Sequence, residues 1–167
     1  MFDAVLFDLD GTLIDTTQAI LDSLQYTVRY FTGETRDKEQ FRKYAGVPLD
    51  EVLMDLLPDH IEEARDVYIR HNLSLHDEMV RAFPGTIETL EELRRRGVKL
   101  AIVTSKRRPS AMFGLKATGL LGRFDAMVFY DDVTKHKPEP EPILKALELL
   151  GIEKGTVLMV GDSTYDI

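Results

Sequence analysis

The stretch Val5-Leu6-Phe7-Asp8-Leu9-Asp10-Gly11-Thr12 ends an apolar run in two aspartates separated by one residue. Carboxylates beside an apolar interior are costly without a partner or a task. Further along, Thr104-Ser105-Lys106, then Lys137, then Asp162 and Asp166 also stand just beyond short apolar runs or stiff lead-ins. If Asp8, Asp10, Asp162 and Asp166 converge, four carboxylates face one lysine, and their repulsion raises some of their pKa values unless a cation intervenes. Oxygen donors, with no cysteine and no convergent histidine pair, suit magnesium, which commonly binds through a carboxylate or two together with substrate phosphate oxygens. A small phosphorylated substrate is therefore expected.

In such a site Asp8, at a strand end, can attack phosphorus in line. Asp10 points to the same side of an extended backbone and can protonate the leaving oxygen, then activate water. Gly11 permits a sharp turn that a Cβ would hinder. Thr104, with Ser105 and nearby backbone N–H groups, would hold phosphate oxygens, while Lys137 offsets charge growing in the transition state. Lys106, Arg107 and Arg108 could assist an anionic substrate or simply cover a helix start. Taken singly, the groups also have plain structural readings: the aspartates as turn residues, Lys137 as a solvated surface lysine. His71 and His76 are five apart on a helix, do not share a face, and read as packing groups.

The elements that must position these groups follow from periodicity. Ala4 to Phe7, Val98 to Val103 and Thr156 to Val160 are short apolar runs that read as strands buried on both faces, with a weaker fourth at Phe124 to Phe129. Between them Ile87, Leu90 and Leu93 recur at helical spacing and stop at Gly97, and Ile143, Leu144, Leu147 and Leu150 stop at Gly151. Prolines at 138, 140 and 142 stiffen the approach of Lys137 to that second helix. Strands alternating with helices predict an α/β fold with a parallel, doubly wound sheet, a Rossmann-like core. From Thr16 to Val80 the chain reads as helices only, with one stripe at Ile20, Leu24, Val28 and Phe31 and another at Ile61, Ala64, Val67, Tyr68 and Leu75. This predicts a small all-helical cap at 16–80 inserted into a catalytic core at 1–15 and 81–167. The last strand is followed directly by Gly161-Asp162-Ser163-Thr164-Tyr165-Asp166-Ile167 with no helix to cover it, so the core reads as incomplete there.

Composition narrows the partners. With 29 Asp+Glu against 21 Lys+Arg, the formal net charge is −8, which argues against nucleic acid and anionic membrane as partners. Cysteine is absent, excluding disulfides, zinc-thiolate sites and a thiol nucleophile. No signal-like start and no apolar run near the roughly 18 residues of a membrane span is seen, so a soluble, cytoplasmic protein is expected. Asn72-Leu73-Ser74 matches a glycosylation acceptor pattern and reads as chance.

The segments VLFDLDGTL, IVTSK, KPEPEP and MVGDSTYD, in this order, resemble the motifs of the haloacid dehalogenase-like hydrolases across essentially the whole chain. The resemblance implies that Asp8 becomes phosphorylated, that Asp10 is the acid/base, and that Thr104 and Lys137 bind the phosphoryl group. It further implies magnesium held by Asp8, the Asp10 carbonyl and Asp162, supported by Asp166, and a helical cap that chooses the substrate. Lys43, Gly46, Val47 and Pro48 sit where similar caps carry a specificity loop. The second opening aspartate, Asp10, separates the chain from the family's dehalogenases. YIRHNLSLHDEMV, FPGTIETLEEL and FYDDVTKHKPEPEP look similar to bacterial inorganic pyrophosphatases of this type and to phosphoglycolate phosphatases. A phosphomutase of the same fold is an alternative. So, from another class, is a phospho-receiver signalling module, although here the acceptor ends the first strand and a helical insert follows it.

Overall fold

The computed structural model describes residues 2–153 and 156–166. β1 (Ala4–Phe7) is buried along its whole length. Its alternating side chains enter two different cores: Val5 and Phe7 join Leu90, Leu100, Ile102 and Leu115, whereas Ala4 and Leu6 join Ala101, Val103, Ala146 and Leu147. A strand apolar on both faces requires cover on both, and the later helices supply it.

β2 (Ile14–Asp15) is followed by α1 (Thr17–Thr32), α2 (Leu49–Leu56) and α3 (Ile61–Met79), after which β3 (Arg81–Ala82) pairs antiparallel with β2. Then come α4 (Thr86–Arg95), β4 (Lys99–Val103), α5 (Arg108–Ala117), β5 (Ala126–Val128), α6 (Glu141–Leu150) and β6 (Val157–Val160). Among the described residues the main sheet is parallel, in the order β5-β4-β1-β6. Leu90 of α4 and Ala111 and Leu115 of α5 pack on one face, and Ala146, Leu147 and Leu150 of α6 on the other. The fold is therefore a doubly wound α/β sheet, and because its strands are parallel, the residues following β1, β4 and β6 emerge along one edge.

The helical segment between β2 and β3 has its own apolar cluster. Leu21, Leu24 and Val28, spaced to share one face of α1, pack with Phe41 and Val52, and Tyr68 of α3 lies against them. α2 buries Val52 and Leu53.

Two features differ from the sequence expectation. The β2–β3 pair was not anticipated, since each strand has two residues, too few for a period to register. β6 was expected to be buried on both faces, but it is an edge strand among the described residues, and Leu158 is 40% exposed.

Candidate active site

Asp8 and Thr104 each stand one residue beyond a strand and remain tied to the sheet. Asp8 N–H donates to Val160 O at 2.9 Å and Thr104 N–H to Val128 O at 3.0 Å. Both side chains are thereby held at the carboxyl edge, and both residues are buried. Lys137, arriving from the segment before α6, is buried with them. Its Nζ donates to Asp8 Oδ1 at 2.9 Å and to Asp166 Oδ1 at 2.6 Å. Burial pushes the Asp8 carboxyl up to about 6, with Lys137 pulling the other way and the charges of Asp166 and Asp10 adding to the rise. Burial also acts to raise Asp166, but Lys137 and hydrogen bonds from Ser163 outweigh it and hold that carboxyl below its ordinary value. Asp166 Oδ2 accepts from the Ser163 N–H at 3.0 Å and its hydroxyl at 2.9 Å.

Asp162 meets this group from the loop after β6. Carboxylate oxygens of Asp8, Asp162 and Asp166 lie within 4.8 Å of one another. Thr12 Oγ1 donates to Asp162 Oδ1 at 3.0 Å. Gly11 approaches so closely that a Cβ there would fall on the Asp162 carboxylate, and its φ of +82° belongs to the left-handed region. The turn beyond β1 is closed by Gly11 N–H to Ile14 O at 2.9 Å and by Leu13 and Ile14 N–H to Leu9 O at 3.0 Å. The Asp10 carbonyl takes part in none of these bonds. Three carboxylates beside a single lysine form an all-oxygen donor set with surplus negative charge, which suits a hard divalent cation.

Above this edge lies a cavity of about 130 Å³. Asp8, Asp10, Thr104, Ser105 and Lys106 line it from the sheet, and Tyr44, Gly46, Asp50 and Tyr68 from the helical segment. Lys106 Nζ donates to Asp10 Oδ1 at 2.8 Å. The Ser105 hydroxyl is buried without a partner among the described residues, an orphaned polar group facing a region where an anion could sit. Gly46, with φ +76°, brings the loop before α2 onto Ser163, where a Cβ would strike that side chain.

The structure thus brings Asp8, Asp10, Gly11, Thr104, Ser105, Lys106, Lys137, Asp162 and Asp166 to one edge of the sheet, with Gly46 opposite. It does not bring Lys43 into the cavity. Lys43 Nζ sits 4.6 Å from the ring centre of Tyr44 and 3.6 Å from Asp55, and the side chain is exposed. Its neighbour Tyr44 takes the inward position instead. His71 stacks on Tyr26 at 4.1 Å and His76 is bonded to Asn72 at 3.0 Å, so both pack. Asn72 is buried, so the glycosylation pattern has no exposed acceptor. Sequence reasoning missed Gly161, where a Cβ would collide with the Asp166 carboxyl, and the cavity residues Asp50, Tyr68 and Tyr130. A glycine immediately before an acidic motif was the available signal for the first; nothing in local pattern marked the others.

The family model described as haloacid dehalogenase-like hydrolase matches residues 5–167. The pyrophosphatase PpaX of Halalkalibacterium halodurans is 43% identical over 166 residues, covering 99% of this chain and 77% of the relative. A crystal structure from Lactobacillus plantarum, provisionally assigned as a phosphoglycolate phosphatase, superposes with a TM-score of 0.89 at 26% identity, over 99% of this chain and 80% of that one. A haloacid dehalogenase-like family hydrolase from Streptococcus pneumoniae superposes with a TM-score of 0.83 at 27% identity, over 99% and 78%. No helix among the described residues is long and apolar enough to cross a membrane.

Proposed function

The chain belongs to the haloacid dehalogenase-like hydrolase family, and within it we propose a magnesium-dependent phosphohydrolase that works through an aspartyl-phosphate on a small phosphate. The observation that carries this reading is the buried Asp8 at the end of β1, sharing Lys137 with Asp166 and lying beside Asp162. Asp8, with Lys137 bonded to its Oδ1, is the attacking carboxylate. It forms a bond to phosphorus as the bond to the leaving oxygen breaks, and Asp10 delivers a proton to that oxygen. Asp10 then accepts a proton from water, whose oxygen displaces Asp8 from phosphorus and releases inorganic phosphate. Thr104 and Ser105 hold phosphoryl oxygens, and Lys137 balances the charge that the transition state gathers. Asp8, the Asp10 carbonyl and Asp162 would hold magnesium, which supplies positive charge between the anionic nucleophile and the anionic substrate.

Size and kinship favour a particular substrate. The cavity of about 130 Å³ is well below the roughly 300–1,000 Å³ typical for drug-sized ligands, so a compact phosphate fits better than a nucleotide. Relatives named pyrophosphatase, at 43% and 46% identity, support inorganic pyrophosphate as the first choice, and the structural neighbour provisionally assigned as a phosphoglycolate phosphatase supports phosphoglycolate as the second. The small helical segment, 16–80, acts as the cap over the core formed by 1–15 and 81–167.

The test is phosphate release with magnesium from pyrophosphate, phosphoglycolate and a hexose phosphate, by wild type and Asp8→Asn. Pyrophosphate should be cleaved fastest, and Asp8→Asn should lower kcat by at least about 10³-fold with an unchanged circular dichroism spectrum. Undiminished turnover by Asp8→Asn would remove the covalent mechanism. An isomerised hexose phosphate in place of free phosphate would identify a mutase.

A further inference from the structure

We infer that Arg107 is a specificity-determining residue that receives the second anionic group of the substrate; this rests on the phosphohydrolase reading above. The Arg107 guanidinium is now divided between two carboxylates. Nη2 donates to Asp50 Oδ2 of α2 at 2.8 Å, and Nη1 to Asp131 Oδ1, after β5, at 2.8 Å. Its carbon lies 4.9 Å from the ring centre of Tyr130. Arg107, Asp50 and Tyr130 all line the cavity that Asp8, Asp10 and Thr104 also line. Among the described residues the other cation lining it is Lys106, which Asp10 already holds. A substrate whose transferred phosphoryl group lies against Asp8 therefore meets Arg107 with whatever charge it carries beyond the scissile bond.

The present ion pairs of Arg107 are replaceable. Asp50 keeps Arg65, whose Nε donates to its Oδ1 at 2.6 Å, and Asp131 keeps the Arg108 N–H on its Oδ2 at 2.8 Å. Turning Arg107 toward a phosphate thus strands neither carboxylate, the outcome that makes breaking a buried pair expensive. The side chain is 34% exposed, so packing does not lock it. Each carboxylate now takes a single N–H from Arg107, whereas a phosphate or carboxylate on the substrate can take two in parallel, the stronger arrangement. The substrate class that this selects is a small phosphate carrying a second anionic group close to the scissile bond: a diphosphate, or a phosphate monoester of a short carboxylic acid.

The experiment compares kcat/KM of the full chain with magnesium on pyrophosphate, phosphoglycolate and p-nitrophenyl phosphate, whose leaving group has no second anion. Wild type, Arg107→Ala and Arg107→Lys are measured, with melting curves for each. The ratio of the better two-anion substrate to p-nitrophenyl phosphate should fall on the order of 50-fold in Arg107→Ala, mainly through KM, and by an intermediate factor in Arg107→Lys. A loss shared equally by all substrates indicates a structural role and overturns the inference, as does an unchanged ratio. Wild type that prefers p-nitrophenyl phosphate to both two-anion substrates overturns it as well. Wild type that hydrolyses none of the three overturns the phosphohydrolase reading itself, which separates the two failures.

Discussion

Gly11 meets two demands at once. Its φ of +82° is a conformation that L side chains adopt at a cost of roughly 1–2 kcal/mol, and a Cβ would occupy the space of the Asp162 carboxylate. Gly11→Ala should therefore lower stability by about 1–2 kcal/mol in urea unfolding and also displace Asp162. Displacement would raise the magnesium concentration needed for half-maximal phosphate release by roughly tenfold, since a ligand out of place weakens a cation that demands strict octahedral geometry. An unaltered magnesium requirement would mean that Asp162 does not contribute to the cation. Gly161 stands in the same relation to Asp166. Two acidic groups of the cluster are thus each backed by a glycine because the backbone must run beneath the carboxylate.

At the scale of elements, α3 is joined to α1 through a buried polar network, and its His76 packs against Phe113 of α5. Asn72 Nδ2 donates to Ala19 O at 3.2 Å and to Ser23 Oγ at 3.3 Å, while His76 Nε2 bonds Asn72 Oδ1 at 3.0 Å. Oδ1 can only accept, so Nε2 carries a proton. Its Nδ1 has no partner among the described residues, and Phe113 of α5 lies edge-on at 5.3 Å, so a second proton would be buried without an acceptor and the ring is neutral. Burial, assisted by the charge of Lys106, pushes His76 down to about 4 from 6.5. The unfolded chain then binds more protons than the folded one between these values, so stability rises with pH across that window. The contribution, about 3 kcal/mol, is fully present above pH 6.5 and is lost as pH falls toward 4. Urea unfolding of wild type and His76→Gln at pH 7 and pH 4.5 should show a steeper decline for wild type. Equal declines, or a His76 ring resonance that titrates near pH 6.5, would contradict this placement of the ring.

For the molecule as a whole, the magnesium proposed at the acidic edge would link cation binding, protonation and stability. Asp8 in its site holds a proton up to about pH 6, and a divalent cation at that site favours the ionised form. Magnesium should therefore bind more weakly as pH falls through 6, and chelation should abolish phosphate release reversibly. By mass action, magnesium at a hundredfold excess over its Kd should stabilise the fold by about 2.7 kcal/mol. Differential scanning calorimetry at pH 7.5, with and without magnesium, measures this for wild type and Asp162→Asn. An equal rise in Tm for both would place the cation away from Asp162.

The longer strands and two of the helices that cover the sheet were legible in the sequence, because periodicity depends on neighbours three or four residues away at most. The run Ala4 to Phe7 coincides with β1, and of the stripe read in α6 Leu147 and Leu150 are buried with Ile143 packed beside them, whereas Leu144 is exposed. The residue types also disclosed what kind of chemistry the strand ends could support, since carboxylates beside apolar runs are costly wherever they occur. Partnership was another matter. That Lys137 divides itself between Asp8 and Asp166, that Arg107 bridges Asp50 and Asp131, and that Lys43 turns outward while Tyr44 turns in are outcomes of packing between distant segments. A side chain's partner is chosen by which elements the fold sets side by side, and local spacing carries no information about that choice.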